Sequence, residues 1–431
     1  METVALRKVK GLRGEIIPPF DKSVSHRAVL FASLAEGKST VRNFLRAADP
    51  LSTVRALKML GVEMGEAASG ELVIQGKGLY GLKESPDVLD CGNSGTTMRL
   101  LSGILSGNPF FSVLTGDDSL RQRPMARVIE PLKEMHADIS GRGNDRYAPI
   151  AIRGKALKPV DYTMPVASAQ VKSCLVLAGL YADGITSVKE PYKSRDHTER
   201  MLGAMGADID VAGLTVKIRG GSRLSGCELT VPSDFSSAAF FIAAALIIPE
   251  SEICVKGVGV NPTRTGFMDV IREMGAEVEL VDAGTVSGEP VADIWCRTSN
   301  HMKGICIGKE RVPSLIDEFP VLCVLATQAE GITEIRGAEE LRVKESDRIK
   351  TMAEELRKFG VETEEYPDGI AIKGKAVLKG SDAESYGDHR IAMSLAVAAL
   401  IAEGTTKIRN ASSVDISFPG FFDELKRLSR G

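Results

Sequence analysis

The chain has 431 residues, of which 43% are hydrophobic and 26% are charged, and its formal net charge is -3. This length exceeds what a single hydrophobic core usually supports, so two or three domains are expected. The sequence pI of about 6.1 argues against a general nucleic-acid-binding protein, which would carry a clear basic excess.

The first residues of the chain carry no targeting pattern. Residues 1–7 lack both the apolar core of a secretion signal and the Arg- and Ser-rich composition of a transit peptide. The longest nearly unbroken apolar run, 238–249, is too short to span a bilayer. The seven Cys residues are scattered without CxxC spacing, so neither a zinc site nor a disulfide framework is predicted. We expect a cytoplasmic protein with no metal and no membrane or nucleic-acid partner.

An amphipathic helix followed by a short β-like run recurs along the chain. Apolar residues in each copy stand three or four positions apart, which is the period of a helix with one buried face. A Gly at the end of such a helix suits a left-handed C-cap. The copies begin at Thr53, Val128, Glu199, Met268 and Met352, and a truncated sixth copy begins at Phe421.

A second set of helices is almost entirely apolar, which predicts helices that are buried on all sides. Six repeats over 431 residues average about 70 residues each, enough for a βαβαββ module. The predicted fold class is α/β, with two domains of three βαβαββ units each and the ligand in the cleft between them. The apolar helices are predicted over 28–34, 97–105, 169–180, 236–247, 316–327 and 391–401.

Two short Pro-bearing segments mark the points where the chain is expected to cross between domains. These segments are Pro19–Phe20 and Val231–Asp234. We assign 1–20, which includes a first strand over Ala5–Ile17, together with 234–431 to one domain, and 21–233 to an inserted domain. Two covalent crossings would form a hinge. One continuous sheet is the alternative.

Cations recur in turns rich in Gly, Ser and Thr, next to the predicted apolar helices. Small residues in such turns let backbone N–H groups approach a ligand, and a helix N-terminus favours negative charge. This arrangement predicts one pocket for a small, highly charged anion, assembled from distant parts of the sequence. The segments are Asp21–Arg27, Gly92–Arg99, Arg121–Pro124, Ser194–His197, Arg342–Arg348 and Gly387–Arg390.

Each motif also has a structural interpretation. A polar residue before an apolar helix, as at Ser168 and Gln170, is equally expected to cap that helix. Charges that alternate before a helix, as in 344–348, usually form a solvated face. Lys22 and Arg27 favour a bound anion, because both would otherwise oppose the dipole of the helix that follows.

Two adjacent carboxylates, Asp317 and Glu318, stand at the start of a predicted apolar helix. Burying both is costly unless they are paired or used in chemistry. The structural interpretation is an acidic partner for the helix N-terminus. The functional interpretation is a carboxylate kept for a reaction.

Taken in order, these motifs resemble the enolpyruvyl transferase family from Lys22 to Pro419. The matching segments are Asp-Lys-Ser-x-Ser-His-Arg, Gly-Asn-Ser-Gly-Thr-Thr-Met-Arg, Arg-Pro-Met, Ser-Ala-Gln-Val-Lys, Arg-Val-Lys-Glu-Ser-Asp-Arg and Asp-His-Arg. Ser168–Gln170 and Leu120–Met125 are similar to the class II branch. The resemblance implies transfer of the enolpyruvyl group of phosphoenolpyruvate to the 5-hydroxyl of shikimate 3-phosphate, with release of phosphate, in aromatic amino acid biosynthesis.

The resemblance also implies an architecture and a mode of binding. It implies two inside-out α/β barrels of three βαβαββ units each, which close around the substrates, with no cofactor and no metal, in a monomer. It further implies a target of the inhibitor glyphosate, although Gly95 favours sensitivity and the class II-like segments favour tolerance.

Individual roles follow from the same resemblance. Asp317 would take the proton of the acceptor hydroxyl, and Glu345 with Lys22 would protonate the methylene carbon, with the division between them left open. The residues expected to bind shikimate 3-phosphate are Lys22, Ser23, Arg27, Ser168, Ala169, Gln170, Arg195, Asp317 and Lys344. Those expected to bind phosphoenolpyruvate are Lys22, Gly95, Arg123, Gln170, Arg348 and Arg390.

Two positions depart from the family pattern. Ile416 stands where many relatives have a Lys shortly before the final Phe-Pro, so one phosphate contact is either missing or supplied elsewhere. Glu340 stands where some relatives have an Asn ahead of the Arg-Val-Lys run.

Two other functions compete with this interpretation. The related transferase that acts on UDP-N-acetylglucosamine usually carries a reactive Cys in the loop that corresponds to 116–124, and this chain has none there. A non-catalytic phosphate-binding or RNA-end-processing protein could be built on similar repeats. The acidic pI and the paired carboxylates disfavour it.

Overall fold

The computed structural model describes residues 2–429 and divides them into two compact units. Unit 1 contains residues up to Pro19 together with 233–284 and the chain from Pro290 onward. Unit 2 contains 20–232 and the short segment 285–289. The chain therefore leaves unit 1 after Pro19 and returns to it after Pro232.

The strands of residues 2–429 form six small sheets, three in each unit. In every four-stranded sheet, a parallel pair at one edge is followed by an antiparallel third strand. The strands are β1 (Val4–Arg7), β2 (Arg13–Ile16), β3 (Glu36–Arg42), β4 (Glu63–Glu66), β5 (Leu72–Lys77), β6 (Leu89–Asp90), β7 (Phe111–Thr115), β8 (Asp138–Arg142), β9 (Tyr147–Arg153), β10 (Asp161–Thr163), β11 (Ile185–Lys189), β12 (Ile209–Ala212), β13 (Thr215–Arg219), β14 (Glu228–Thr230), β15 (Glu252–Gly259), β16 (Val278–Val286), β17 (Glu289–Arg297), β18 (Cys306–Ile307), β19 (Ile332–Ile335), β20 (Thr363–Tyr366), β21 (Gly369–Lys373), β22 (Asp382–Glu384) and β23 (Thr405–Arg409).

The helices alternate with these strands in the order that the repeats predict. Three stretches of chain, 89–153, 161–219 and 306–373, each run through a complete βαβαββ unit, which confirms the predicted fold class. The helices are α1 (Lys22–Leu34), α2 (Ala48–Met59), α3 (Gly95–Ser106), α4 (Ala126–Glu134), α5 (Ala169–Gly179), α6 (His197–Ala204), α7 (Phe235–Ile247), α8 (Gly266–Glu273), α9 (Val312–Leu315), α10 (Phe319–Ala326), α11 (Arg348–Lys358), α12 (His389–Ala399) and α13 (Phe421–Leu428).

The two remaining four-stranded sheets are each completed by a strand from a distant part of the sequence. In unit 2, β14 near the end of the unit pairs in parallel with β3 near its beginning. In unit 1, β2 from the N-terminal segment pairs in parallel with β15. The sixth sheet has only three strands, in the order β1-β23-β22, as expected for a truncated copy.

The apolar helices form the centre of each unit. All residues of α7, α10 and α12 are buried in the core of unit 1. In unit 2, α1, α3 and α5 are buried from their first or second turn to their last residue. The amphipathic helices bury one face each, so helices rather than strands occupy the interior.

Short polar side chains cap five of these six central helices. The N-cap side chain accepts a hydrogen bond from a backbone N–H of the first turn. Such N–H groups have no partner within the helix and need one from elsewhere. The five caps are Asp21, Ser94, Ser168, Asp234 and Asp388. Capping by Ser168 agrees with its structural interpretation.

Two sequence expectations are wrong in detail. The single strand expected over Ala5–Ile17 is two strands in different sheets, β1 and β2, because the chain turns between them at 8–12. The helix expected over 316–327 begins later, at Phe319, where α10 has Pro320 in its first turn, and a separate short helix, α9, ends before it at Leu315. Proline fits a first turn because the N–H that it lacks has no helical partner there.

Candidate active site

The predicted binding residues cluster at the starts of helices in both units. The residues Lys22, Ser23, Gly95, Ala169, Gln170 and Arg390 lie in the first turn of a central helix. Arg123, Arg195, Lys344 and Glu345 lie in the segments that lead into amphipathic helices, and Arg348 is the first residue of one. Helix starts present unpaired N–H groups and the positive end of the helix dipole, both of which favour an anion.

Lys22 begins α1 and is held close to a carboxylate in unit 2. Its ammonium Nζ lies 3.2 Å from Asp49 Oδ2, and both side chains are largely buried. Asp21 caps α1 by accepting a 2.8 Å hydrogen bond from the backbone N–H of Val24. Two carboxylates therefore offset the unfavourable placement of Lys22 at a helix start.

Arg27, one turn further along α1, is only 3% exposed. Its guanidinium donates to Thr198 Oγ1 at 2.7 Å and Ser173 Oγ at 2.8 Å, and to the Ser23 carbonyl at 3.1 Å. Burial lowers the pKa of Arg27 to about 10, while the Glu199 carboxylate opposes that shift. This cation is therefore held by neutral oxygens in a position where its charge is incompletely balanced.

A chain of hydrogen-bonded groups links α1 to the glycine-rich turn before α3. His26 Nδ1 lies 2.7 Å from Thr53 Oγ1, which lies 2.7 Å from Thr97 Oγ1. Thr97 Oγ1 in turn donates to Ser94 Oγ at 2.8 Å. Burial, reinforced by the charge of Lys22, holds the pKa of His26 well below its usual value, so a neutral imidazole joins the Lys22 helix to the Gly95 helix.

Three of the predicted phosphoenolpyruvate residues of unit 2, Gly95, Arg123 and Gln170, meet around the start of α3. Arg99 donates a short hydrogen bond to the side-chain oxygen of Gln170, whose amide nitrogen donates to Thr96 Oγ1 at 2.9 Å. Arg123 donates to Asn93 Oδ1 at 2.6 Å and to its carbonyl at 3.2 Å. A methyl group at Gly95 would lie 2.9 Å from Arg99 Nη1 and 3.6 Å from Arg123 Nη1. The structure thus brings Gly95, Arg123 and Gln170 together, with Arg99 between them.

The segment before α6 carries Arg195, which is partly exposed. Ser194, immediately before it, donates its backbone N–H to Glu190 Oε2 at 3.1 Å and donates its hydroxyl to the same oxygen. Arg195 therefore extends from a turn that Glu190 closes.

The predicted residues of unit 1 gather around a single guanidinium. Arg348, 1% exposed, donates to Asp388 Oδ2 at 2.8 Å and to Glu345 Oε2 at 2.8 Å, and its Nη1 lies 3.5 Å from Asp317 Oδ1. Burial alone would lower its pKa, but Asp388 and Glu345 raise the Arg348 pKa above its ordinary value. Burial would likewise raise the pKa of Asp388, yet Arg348 lowers it.

Asp317 connects Arg348 with Arg390. Its Oδ1 lies 3.6 Å from Arg390 Nε, and its carbonyl accepts a 3.1 Å hydrogen bond from Arg390 Nη1. Asp317 is partly exposed, unlike its neighbour Glu318. The structure therefore brings Asp317, Glu345, Arg348 and Arg390 together, with the half-buried Lys344 next to Glu345 in the chain.

Glu318 is buried at the N-cap position of α10 but makes no capping hydrogen bond. Its carboxylate instead accepts a short hydrogen bond from Ser236 Oγ, which also accepts a 2.6 Å hydrogen bond from Arg264. Burial raises the pKa of Glu318 above its usual value, against the lowering effect of Arg264. The prediction of two adjacent buried carboxylates therefore holds for Glu318 alone.

Sequence reasoning assigned no role to three residues that hold these groups together. Asp388 and Arg99 appear there only within the cationic segments Gly387–Arg390 and Gly92–Arg99, and Lys172 only within the predicted apolar helix 169–180. A lone Lys in an otherwise apolar, fully buried helix was the signal for the last of these, because a buried ammonium requires a paired carboxylate. The fully buried Lys172 lies 2.8 Å from Glu190 Oε1 and 2.7 Å from Glu199 Oε1.

The two departures from the family pattern lie in 3-10 turns of unit 1. Ile416 ends the turn Ala411–Ile416, and Glu340 lies in the turn Glu339–Val343, which leads to Lys344. Across residues 2–429, no group of three or more His, Cys, Asp or Glu side chains is placed to hold a metal ion. Within the same residues, no helix combines the length and the apolar character needed to cross a membrane.

Comparison with known proteins identifies relatives of this chain. A family model described as EPSP synthase (3-phosphoshikimate 1-carboxyvinyltransferase) matches residues 6–425. A 3-phosphoshikimate 1-carboxyvinyltransferase of Thermodesulfovibrio yellowstonii is 55% identical, with 99% of each chain covered. One of Citrifermentans bemidjiense is 52% identical, again over 99% of each chain.

Solved structures show the same relationship. The EPSP synthase structure of Acinetobacter baumannii matches with a TM-score of 0.88 and 44% identity, and covers 99% of this chain and 98% of its own. The enolpyruvyl transferase NikO of Streptomyces tendae matches with a TM-score of 0.79 and 18% identity over 98% and 96% of the two chains, which supports the fold alone. The family model and these structural matches together show that the fold is that of the enolpyruvyl transferases.

Within that class, the chain belongs to the EPSP synthase family. The alternative of a UDP-N-acetylglucosamine enolpyruvyl transferase is not favoured.

Proposed function

We propose that this protein transfers the enolpyruvyl group of phosphoenolpyruvate to the 5-hydroxyl of shikimate 3-phosphate and releases phosphate. One observation carries the assignment of roles. The two carboxylates that the chemistry requires, Asp317 and Glu345, are both in contact with the guanidinium of Arg348. Because the base and the acid both contact one buried cation, their distance from each other and from an anion bound beside them is fixed.

The first half of the reaction forms a carbon–oxygen bond. Asp317 accepts the proton of the 5-hydroxyl while that oxygen attacks C2 of phosphoenolpyruvate, and the methylene carbon C3 gains a proton. We assign that proton to Glu345 or Lys22. A positioned acid and base typically contribute about 10²–10⁴-fold each. The tetrahedral intermediate retains the phosphate and carboxylate of the donor.

The second half removes phosphate. The C2–O bond to phosphate breaks, the methyl carbon returns one proton to the protein, and the enolpyruvyl double bond forms again. Negative charge increases on the leaving phosphate, and we propose that Arg123, Arg348 and Arg390 stabilise it. Preorganised donors of this kind are worth about 3–4 kcal/mol each when removed singly.

Substrate binding is proposed to divide between groups of residues on both units. Shikimate 3-phosphate would contact Ser23, Arg27, Ser168, Ala169, Gln170 and Arg195 as well as Lys22, Asp317 and Lys344. Phosphoenolpyruvate would contact Gly95 and Gln170 besides Lys22 and the three arginines. Because the two substrates carry two phosphates and two carboxylates, cations from several helix starts are required to balance them. We also propose that the enzyme acts as a cytoplasmic monomer without a cofactor.

A phosphate-release assay tests this function. The purified chain is supplied with phosphoenolpyruvate and either shikimate 3-phosphate or UDP-N-acetylglucosamine. Release of one phosphate for each enolpyruvyl shikimate 3-phosphate formed, with the first acceptor only, is the expected result. Release of phosphate with the nucleotide sugar would contradict the proposal, and so would the absence of release with both acceptors.

A further inference from the structure

A buried network of charges and hydroxyl groups connects the elements of unit 2 that carry the predicted shikimate 3-phosphate residues. Its centre is Lys172 on α5, which has no exposed surface and is paired with Glu190 and Glu199. Both glutamates are themselves almost completely buried. Removing one partner of a buried ion pair is strongly destabilising, so such a group is expected to hold its neighbours in a fixed arrangement.

The network reaches the turn that carries Arg195. Glu190 Oε2 accepts both the backbone N–H and the hydroxyl of Ser194, while Lys172 Nζ donates to the Ser194 carbonyl at 3.4 Å. The backbone N–H, the hydroxyl and the carbonyl of Ser194 are therefore all held by this ion cluster. Arg195 follows directly in the chain, so its backbone position depends on the cluster.

The same network joins the two helices that flank this turn. Lys172 lies two residues after Gln170 on α5, and Glu199 lies in the first turn of α6. The hydroxyl oxygens of Ser173, the residue after Lys172, and Thr198, the residue before Glu199, lie 2.6 Å apart. The start of α5 thus has a fixed position relative to the turn before α6.

Arg27 extends the network to α1. Its guanidinium donates to both hydroxyls of the Ser173–Thr198 pair, and α1 also carries Lys22 and Ser23. Hence one continuous set of buried contacts connects every element of unit 2 that carries a predicted shikimate 3-phosphate residue.

We propose that Lys172, Glu190 and Glu199 are positioning residues for shikimate 3-phosphate. They contact no substrate themselves. They keep the α5 start and the Arg195 turn in the arrangement that binds the acceptor, so the acceptor finds its contacts already formed. This inference rests on the proposed function, because it takes shikimate 3-phosphate as the ligand of these elements.

The most selective probe is Glu190→Gln, which removes the charge that closes the Arg195 turn and preserves the size of the side chain. We expect the Kd for shikimate 3-phosphate, measured by titration calorimetry without phosphoenolpyruvate, to rise about tenfold, because buried donors lose a charged acceptor. The KM for shikimate 3-phosphate should rise to a similar extent. The KM for phosphoenolpyruvate and kcat should change by less than about threefold, because the contacts around Gly95 do not involve Glu190.

A second variant guards against failure of the first to fold. Ser194→Ala keeps the ion cluster and removes only one hydroxyl donor to Glu190. We expect it to raise the Kd for shikimate 3-phosphate about threefold, in the same direction and with the same selectivity.

A matched control separates positioning from general loss of stability. Leu202 is fully buried on α6, the helix that carries Glu199. Leu202→Ala should lower the Tm by at least as much as Glu190→Gln does, but it should leave the Kd for shikimate 3-phosphate within about twofold. An equal loss of affinity in Leu202→Ala, or an unchanged Kd in both Glu190→Gln and Ser194→Ala, would overturn the positioning role.

The binding measurement distinguishes this inference from the proposed function. Failure of the unaltered protein to release phosphate, while it still binds shikimate 3-phosphate, overturns the reaction and leaves the positioning role to be decided by the Kd values. Failure of the unaltered protein to bind shikimate 3-phosphate overturns both.

Discussion

Each unit buries an arginine at a predicted binding position, and the two arginines lie in opposite electrostatic environments. In unit 2, the hydrogen bonds of Arg27 go to hydroxyl and carbonyl oxygens. In unit 1, those of Arg348 go to carboxylates. The pKa of the first guanidinium is lowered by burial to about 10, whereas that of the second is raised by its acidic partners, against the effect of burial.

This difference separates binding from chemistry. A buried cation with neutral partners gains most from a ligand that brings negative charge, as a phosphate does. A cation that already holds two or three carboxylates gains less from an anion, but it fixes those carboxylates for proton transfer. We therefore expect substitutions in unit 2 to act mainly on affinity and those in unit 1 mainly on turnover or stability.

The largest expected effect is on turnover, at Asp317. Asp317→Asn removes the proposed base and keeps the carbonyl contact to Arg390. We expect kcat to fall by about 10²–10⁴-fold, which is the usual contribution of a positioned base, with the Kd for shikimate 3-phosphate changed only a few-fold. Steady-state phosphate release and calorimetry measure the two quantities. A kcat within threefold of the unaltered enzyme would show that another group takes the proton.

Asp388 should have the largest effect on stability. Asp388→Asn removes the carboxylate that pairs with Arg348 and caps α12, and breaking a buried ion pair costs about 3–5 kcal/mol. Since the folded-state pKa of Asp388 is lowered, its contribution to stability is present above its ordinary pKa and is lost as pH falls through the lower folded value.

Urea unfolding at pH 7 and at pH 3 checks both parts of this prediction. The free energy of unfolding should differ clearly between the two proteins at pH 7, and the difference should decrease at pH 3. Asp382→Asn, at an exposed position in β22, is the control and should be nearly neutral. A difference that is constant with pH would mean that the amide disturbs packing rather than charge.

Arg27→Met tests the unit 2 side of the comparison. Losing the cation should weaken shikimate 3-phosphate binding by about 1.5–3 kcal/mol, or roughly 10- to 150-fold, as expected for a charge-assisted hydrogen bond. Stability at pH 7 should stay unchanged or rise, because the Ser173 and Thr198 hydroxyls still bond to each other and the desolvated charge is gone. Calorimetry and urea unfolding decide the matter, and a large loss of stability would show that Arg27 is mainly structural.

The sequence predicted the repeats well because each copy carries its own local signal. The left-handed helix ends are an example: Gly61, Gly206, Gly275 and Gly360 all have positive φ, and His136 adopts the same conformation in the one full copy that lacks Gly. Four of the six apolar helices, α3, α5, α7 and α12, also begin within two residues of the expected position, because a polar residue precedes each of these apolar runs. Both features lie within a few residues of chain, so no tertiary information is needed to find them.

The side-chain partners were much less predictable. Lys22 with Asp49, and Lys172 with Glu190, are separated by many residues and by at least one strand. Nothing in local sequence distinguishes a buried Glu that holds a Lys from an exposed one. The alternating charges of 344–348 likewise do not reveal that Arg348 is buried, because its partner Asp388 comes from the next repeat.

Gly95 offers a smaller test within unit 2. Gly95→Ala would bring a methyl group 2.9 Å from Arg99 Nη1, so the guanidinium must move away from Gln170. Because the neighbour is the end of a flexible side chain, we expect a cost of about 1–2 kcal/mol, seen as a rise in the KM for phosphoenolpyruvate. The Kd for shikimate 3-phosphate should stay nearly constant.

The smallest expected effect is a pH-dependent change of stability at Glu318. Burial raises the folded-state pKa of Glu318 above its ordinary value of 4.5, so the folded protein favours the protonated form and loses stability as pH rises through that folded value. Glu318→Gln removes this penalty and keeps an acceptor for Ser236. Its free energy of unfolding should exceed that of the unaltered protein by about 1 kcal/mol at pH 8, and the gain should vanish below pH 4.5, where the carboxyl is protonated in both states. Glu364→Gln, an exposed position in β20, should show no such pH dependence. A loss of stability at pH 8 would mean that the charge of Glu318 is needed by Arg264, and unit 1 would then depend on paired charges even away from its reacting groups.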